Sequence, residues 1–204
     1  MRSESILDNY VRPLLPLFIL VAVFWGLEII DFVSGGFLSL DYYGIHPRDV
    51  TALPYIFSAP LLHGSFSHVA ANSVPFLVLG AFIIWRSRSE FWLVTLWVAV
   101  IGGLGTWLIS PANSIHIGAS GVVFGYFGFL LLLGWFERSP ASIVRAVLIA
   151  ILYGGLIWGV LPGEPGISWQ GHLFGFIGGV VCASWLARRY RISGKNISDQ
   201  IRIG

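Results

Sequence analysis

Charged residues are scarce in this sequence of 204 residues. They make up 11% of it, against 56% hydrophobic residues and a mean hydropathy of +0.80. A water-soluble domain of this length needs roughly twice that charged fraction to cover its surface. The scarcity of charge therefore excludes an ordinary soluble domain, gives no reason to expect a nucleic-acid partner, and indicates that the protein lies in a lipid bilayer.

Cysteine is almost absent as well, since Cys182 is the only one. One thiol forms neither a disulfide within the chain nor a thiolate metal cluster, and an apolar run around it is typical of a small buried side chain. The sequence also has no H-E-x-x-H motif, so we expect no metal site. A basic start followed by a small-residue cleavage site is absent too, so we expect the first apolar stretch to remain in the membrane.

Long apolar runs are what the sequence does have. Six runs of about 17–25 residues predict an all-α, polytopic bundle of six transmembrane helices, forming a single membrane domain over residues 1–204. Residues 34–67 are too many for a turn and rich in aromatic side chains, which predicts an external loop in the membrane interface. Residues 188–204 are predicted to form a polar cytoplasmic tail. The expected spans are about 14–33, 68–85, 91–110, 120–136, 143–160 and 168–187.

Lysine and arginine are distributed unevenly between the connections. With the N-terminus inside and the spans alternating, only Arg48 falls on the external side, which is the distribution that the positive-inside rule describes. We therefore expect both termini in the cytoplasm, in a plasma or inner membrane. The residues expected on the cytoplasmic side are Arg2, Arg12, Arg86, Arg88, Arg138, Arg145, Arg188, Arg189, Arg191, Lys195 and Arg202.

Polar side chains inside a membrane are costly and therefore mark candidate functional sites. No Asp or Glu lies in the middle of a span, which argues against a pair of catalytic carboxylates and against a proton-relay transporter. The histidines, by contrast, all map to the external half of the molecule: His46, His63, His68, His116 and His172.

Two glycine-flanked motifs place a serine and a histidine at the starts of the fourth and sixth spans. Residues 118–121 read Gly-Ala-Ser-Gly, and residues 171–175 read Gly-His-Leu-Phe-Gly. Taken alone, Ser120 has a structural explanation as a helix N-cap and His172 as an interhelical hydrogen-bond partner. Their matched depth favours a nucleophile and its general base. Glycine stripes that would let the two helices approach closely consist of Gly121, Gly125, Gly128, Gly171, Gly175 and Gly179.

A third motif opens the second span, where His63, His68 and Asn72 follow one another at intervals of five and four residues. The i, i+4 spacing places His68 and Asn72 on one face of a helix. An imidazole N–H and a side-chain amide at that position are donors suited to a developing oxyanion. Interhelical hydrogen bonding explains them equally well in isolation.

These motifs, in this order on the second, fourth and sixth spans, resemble those of the rhomboid intramembrane serine proteases in their basic six-helix form. The resemblance covers residues 10–190. It implies that Ser120 is the nucleophile, that His172 is the general base, and that no metal or organic cofactor takes part. It also implies cleavage of single-span transmembrane proteins near their external ends. The implied oxyanion hole consists of His68, Asn72 and the Ser120 N–H, with supporting roles for Gly118, Gly121, Phe124 and Gly175.

The sequence departs from the family pattern at three places. Many members have Tyr four residues after the serine, where this chain has Phe124, a ring that stacks but offers no hydroxyl. We therefore expect packing alone to orient His172. Many members have Ala before the histidine, where this chain has Gly171. The Trp–Arg pair of the first loop is absent, and Pro47-Arg48 is the candidate for its anchoring role.

Two other classes of function compete with a protease. A catalytically dead relative that escorts membrane helices would be expected to lack the serine or the histidine. A small transporter would be expected to have an internal repeat and polar groups leading to the cytoplasmic side. This sequence keeps both the serine and the histidine, and it has neither an internal repeat nor such a path of polar groups. We therefore favour the protease. Either the fifth span or the loop 161–166 is then expected to admit the substrate.

Overall fold

The computed structural model describes residues 11–163 and 166–192, and six long helices dominate it. Each is long and apolar enough to cross a membrane when the 3₁₀ turns next to the first and fifth are included. The described residues contain no β-strand. The all-α, six-span fold predicted from the sequence is therefore confirmed. The helices are α1 (Leu15–Val33), α2 (Phe66–Ile84), α3 (Arg88–Ile109), α4 (Ser120–Glu137), α5 (Pro140–Tyr153) and α6 (Trp169–Ile192).

Three helices begin before the apolar run that predicted them. A serine caps each one and accepts a hydrogen bond from the N–H of the third helical residue, so the first turn is polar and hydropathy does not detect it. The caps are Ser65 before α2, Ser87 before α3 and Ser139 before α5.

The last two spans also differ from their expected bounds. The regular helix of the fifth span ends at Tyr153 and continues as a 3₁₀ helix, Gly154–Val160. The sixth helix runs on to Ile192 instead of ending near residue 187. The rest of the predicted tail, residues 193–204, lies outside the described residues, as do Arg2, Lys195 and Arg202 of the charge pattern.

The centre of the bundle is α4, which packs against α2, α3, α5 and α6. Its contact with α6 runs through the two predicted glycine stripes. A Cβ atom on Gly175 would collide with the Gly121 carbonyl oxygen, and one on Gly179 would collide with the Gly125 carbonyl oxygen. The two backbones therefore touch directly, as small residues allow in membrane helix pairs.

Alternation of the helices brings the first turns of α2, α4 and α6 to the same end of the bundle. Phe32 at the end of α1 packs on Phe66 at the start of α2, with ring centroids 5.3 Å apart. We call this end, which holds His68, Ser120 and His172, the site end. The opposite end, which holds Arg86, Glu90 and Glu137, is called the network end.

The connection between α1 and α2 lies over the site end. It contains three short 3₁₀ turns and exposes several aromatic side chains, so it is more than a simple turn. Its predicted position in the membrane interface stays a prediction. The turns are Leu40–Tyr43, Leu53–Ile56 and Ala59–Leu61.

Candidate active site

Ser120 and His172 meet across the glycine contact between α4 and α6. Ser120 is the first residue of α4, and its Oγ lies 2.9 Å from Nε2 of His172 in the first turn of α6. The His172 side chain is buried, whereas Ser120 is half-buried and lines a cavity. The structure thus brings together the two residues that the sequence suggested as nucleophile and base, 52 positions apart in the chain.

Two contacts fix the plane of the His172 ring. The Phe124 ring stacks on it, with centroids 4.0 Å apart and an interplanar angle of 5°. On the other nitrogen, Nδ1 lies 2.9 Å from the main-chain carbonyl oxygen of Gly159. The expectation that packing alone orients His172 is therefore wrong. A backbone carbonyl from the end of the fifth span, which carries no sequence signal of its own, also holds the ring.

The candidate oxyanion donors converge beside the backbone that precedes Ser120. Gly118 has φ +114°, a conformation that L residues rarely adopt, and a Cβ atom there would lie 2.7 Å from His68 Nε2 and 3.7 Å from Asn72 Nδ2. Asn72 gives one N–H to the His68 carbonyl oxygen at 3.1 Å, and the amide has a second N–H to donate. The Ser120 N–H, at the first position of α4, has no acceptor within its own helix.

His63 supports this backbone, although it was not among the expected site residues. Its Nε2 accepts a hydrogen bond from the Ala119 N–H at 3.4 Å, next to the bond from the Gly118 N–H to the Ala59 carbonyl oxygen at 2.9 Å. Burial, together with the nearby His68, lowers the pKa of His63 to about 4, so its ring is neutral and able to accept. The signal for it was its place in the motif of His68 and Asn72.

His116 forms a second serine–histidine arrangement at the same end. Its Nδ1 lies 2.7 Å from Ser168 Oγ and its Nε2 lies 2.8 Å from Ser114 Oγ. Ser168 Oγ also accepts a bond from the Gly171 N–H at 3.3 Å, so it caps the start of α6. Burial lowers the pKa of His116, which keeps the ring neutral. This arrangement ties the connection between α3 and α4 to the helix that carries His172.

A cavity of about 1010 Å³ opens beside the pair. Polar groups line much of it, so it is suited to hold water next to Ser120. The residues described by the structure contain no cluster of three or more His, Cys, Asp or Glu side chains arranged to hold a metal ion. Its polar lining includes Ser65, His68, Asn72, Ser114, His116, Ser120, Ser168, Gln170 and His172.

Comparison with known proteins gives the family. A model of the Rhomboid domain matches residues 51–189, which include the candidate site residues of α2, α4 and α6. The chain belongs to the rhomboid family. It is accordingly a multi-pass integral membrane protein and an intramembrane serine protease, a hydrolase that acts on transmembrane substrates in the bilayer.

Individual relatives from bacteria and plants are similar to this rhomboid. An uncharacterized protein of Mycobacterium tuberculosis is 42% identical over 175 residues, covering 82% of this chain and 72% of that protein. "Putative rhomboid protease YdcA" of Bacillus subtilis is 33% identical over 137 residues, covering 64% and 67% of the two chains. "Rhomboid-like protein 11, chloroplastic" of Arabidopsis thaliana is 29% identical over 153 residues, covering 65% and 52%.

The first loop of this rhomboid is anchored through Arg48. The main-chain N–H of Arg48 donates to the Trp107 carbonyl oxygen at 3.0 Å, and its Nη1 donates to the carbonyl oxygens of Leu108 at 3.2 Å and Ser110 at 2.7 Å. The carbonyls of Trp107 and Leu108 belong to the last turn of α3 and have no partner within the helix, and Ser110 is the residue that follows it. Arg48 therefore clamps the loop to the end of α3.

Proposed function

We propose that this rhomboid cleaves single-span transmembrane proteins near their external ends by means of a Ser120–His172 dyad. The observation that supports it most directly is the 2.9 Å hydrogen bond between Ser120 Oγ and His172 Nε2, at the edge of a polar cavity. A serine hydroxyl is a weak nucleophile unless a base lies within hydrogen-bond reach, and His172 meets that requirement.

In the first half of the reaction, Ser120 Oγ attacks the carbonyl carbon of the scissile peptide bond while His172 Nε2 takes the hydroxyl proton. The carbonyl oxygen becomes an oxyanion. Donors for it are the Ser120 N–H, Asn72 Nδ2 and the His68 ring, all gathered near Gly118. Return of the proton from His172 to the departing amine breaks the peptide bond and leaves an acyl ester on Ser120.

In the second half, water from the cavity attacks the ester carbonyl while His172 takes a proton from it. The same donors stabilise the second oxyanion, and its collapse returns the proton to Ser120 Oγ. Both halves consume only the peptide and one water, so the reaction balances without any cofactor. The cavity at the site end gives a route for that water through a protein whose surroundings are lipid.

The position of the site argues for a cut near the external end of the substrate. Ser120 and His172 lie in the first turns of their helices, whereas Arg86, Arg88, Arg138 and Arg145 lie at or near the network end. By the positive-inside rule the site end then faces the outside of a plasma or inner membrane. A peptide bond near the end of a substrate helix is also easier to expose, because fewer backbone hydrogen bonds must break.

The test uses a single-span reporter, tagged at both ends and reconstituted in liposomes with the protease. We expect Ser120→Ala and His172→Ala each to lower the cleavage rate by at least about 1000-fold. Ser114→Ala is the matched control, since it removes another cavity-lining serine that is hydrogen-bonded to a histidine. Equal cleavage by wild type and Ser120→Ala would refute the dyad. If wild type leaves the reporter intact, labelling of Ser120 by a fluorophosphonate decides whether the site is active.

A further inference from the structure

Gly159 is the residue of the fifth span that reaches the candidate dyad. Its carbonyl oxygen lies 2.9 Å from His172 Nδ1. A carbonyl oxygen only accepts hydrogen bonds, so the proton of the neutral ring is on Nδ1. Nε2 is then unprotonated and faces Ser120 Oγ at 2.9 Å, which is the tautomer that a general base requires.

The absence of a side chain at Gly159 is also required by its contacts. A Cβ atom there would collide with the Phe124 ring, at 2.6 Å from its Cζ, and would lie in van der Waals contact with His172, at 3.5 Å from its Nδ1, so the ring that stacks on His172 would have to move. Gly154 and Gly155 lie in the same 3₁₀ helix, and a Cβ atom on either would meet nothing within 4 Å. The close approach is therefore a property of Gly159 and not of the segment as a whole.

We propose that the main-chain carbonyl of Gly159 positions the general base, taking the place that a carboxylate has beside the histidine of a Ser-His-Asp triad. In the part of the chain that the structure describes, no carboxylate is hydrogen-bonded to His172. The Gly159 carbonyl accepts the Nδ1–H both before and after Nε2 takes the proton from Ser120. It therefore holds one ring orientation through the whole cycle.

This arrangement makes the base depend on the position of the fifth span. The segment Gly154–Val160 has no buried residue, and Trp158 within it is 73% exposed. The segment packs against α6 and, through Leu156, against the core, and displacement of it takes the acceptor away from His172. The site is then fully assembled only while the end of the fifth span is seated against α4 and α6.

The inference rests on the proposed Ser120–His172 function, and the experiment separates the two. Purified Gly159→Ala, Gly155→Ala and wild type are compared for reporter kcat and KM, for the rate of fluorophosphonate labelling of Ser120, and for Tm. We expect Gly159→Ala to lower kcat and the labelling rate by about 100-fold, because a displacement of about 1 Å has that cost, with KM nearly unchanged. Gly155→Ala should match wild type.

A measurement on the wild-type protein tests the proposal even if Gly159→Ala fails to fold. In protein labelled with ¹⁵N-histidine, the His172 resonances, assigned by their loss in His172→Gln, should show a protonated Nδ1 and an unprotonated Nε2. A protonated Nε2 would overturn the proposal. An unchanged rate of Ser120 labelling in Gly159→Ala would also overturn it, because slower reporter cleavage without slower labelling would indicate that Gly159 acts in substrate entry. Full activity of Ser120→Ala would instead refute the underlying dyad.

Discussion

The polar groups at the two ends of the helix bundle are arranged in opposite ways. At the site end, neutral histidine, serine and asparagine side chains surround a cavity and keep donors and acceptors to spare. At the network end, Arg86 forms ion pairs with Glu90 at 2.5 Å and with Glu137 at 2.7 Å, and all three side chains are at most 6% exposed. The site end therefore suits the proposed reaction, whereas the network end holds the helices together.

The network end joins elements from most of the bundle. Arg86 lies between α2 and α3, and Glu137 ends α4. Tyr190 of α6 donates to a Glu90 carboxylate oxygen at 2.6 Å. Ser142 of α5 donates to Glu137 in turn, so five helices or their connections meet in one hydrogen-bonded group. Buried charges are tolerated there because each has an opposite charge or a donor beside it.

Buried polar groups thus meet two different requirements in one small membrane protein. A reactive site needs donors that are not fully used, since they must be ready for a charge that appears only during the reaction. A stabilising network needs the opposite, because an unpaired charge in a low-dielectric interior is costly. Substitutions at the two ends should therefore separate activity from stability.

The largest expected effect on stability is at the network end. Glu137→Gln leaves Arg86 with only Glu90 as an anionic partner, and removal of one member of a buried ion pair costs about 3 kcal/mol or more. We expect a clear drop of Tm in detergent, with the activity per folded molecule preserved. Arg88→Gln is the control, since Arg88 lies two residues after Arg86, at the start of α3, but is exposed. A Tm equal to wild type would show that the network does not stabilise the bundle.

A somewhat smaller effect, on activity, is expected at the site end. Asn72→Ala removes the proposed oxyanion donor and should lower kcat by about 100-fold, with Tm nearly unchanged. The control is Ser73→Ala, one residue further along α2 and similarly buried. Its Oγ accepts from Trp25 Nε1 at 3.1 Å and donates to the Val69 carbonyl oxygen. It should lose about 1 kcal/mol of stability and keep its kcat. A lower Tm with normal kcat in Asn72→Ala, together with a lower kcat in Ser73→Ala, would contradict the contrast between the two ends.

The smallest expected effect is a pH dependence of stability at the site end. His63 has a pKa of about 4 in the folded protein against an ordinary value of 6.5, so the unfolded chain binds the proton first as the pH falls. Its contribution is complete above pH 6.5 and is lost between about 6.5 and 4, giving about 2 kcal/mol less stability at pH 5 than at pH 7.

His63→Gln checks that assignment, since glutamine accepts a hydrogen bond but does not titrate. We expect unfolding midpoints in detergent at pH 7 and pH 5 to differ less for this variant than for wild type. An equal loss of stability in both proteins would show that other groups cause the pH dependence.

Much of the site could be predicted because its signals are local in the sequence. Ser120 and His172 each stand among glycines at the start of an apolar run, and His68 and Asn72 share a helix face by spacing alone. Phe124 and Gly118 were expected as supporting residues, whereas the contacts of His63 and Gly159 were not. The Gly159 contribution is a main-chain carbonyl, which every residue type carries.

The helices were likewise predictable from the sequence only in part. The six apolar runs were enough to predict six helices, because a chain in lipid must satisfy its backbone within helices. The polar first turns of α2, α3 and α5 were not predicted, because their stability comes from serine caps and not from apolar side chains.

Sequence patterns were enough to predict the membrane environment, the number of helices, the family motifs and the candidate nucleophile and base. These follow from composition and from spacing along a helix, both of which are local. The folded structure was needed to see that Gly159 faces His172, that His63 holds the backbone before Ser120, and that Arg86 pairs with Glu137. Those contacts join residues from different helices and loops, and their geometry depends on how closely the backbones pack.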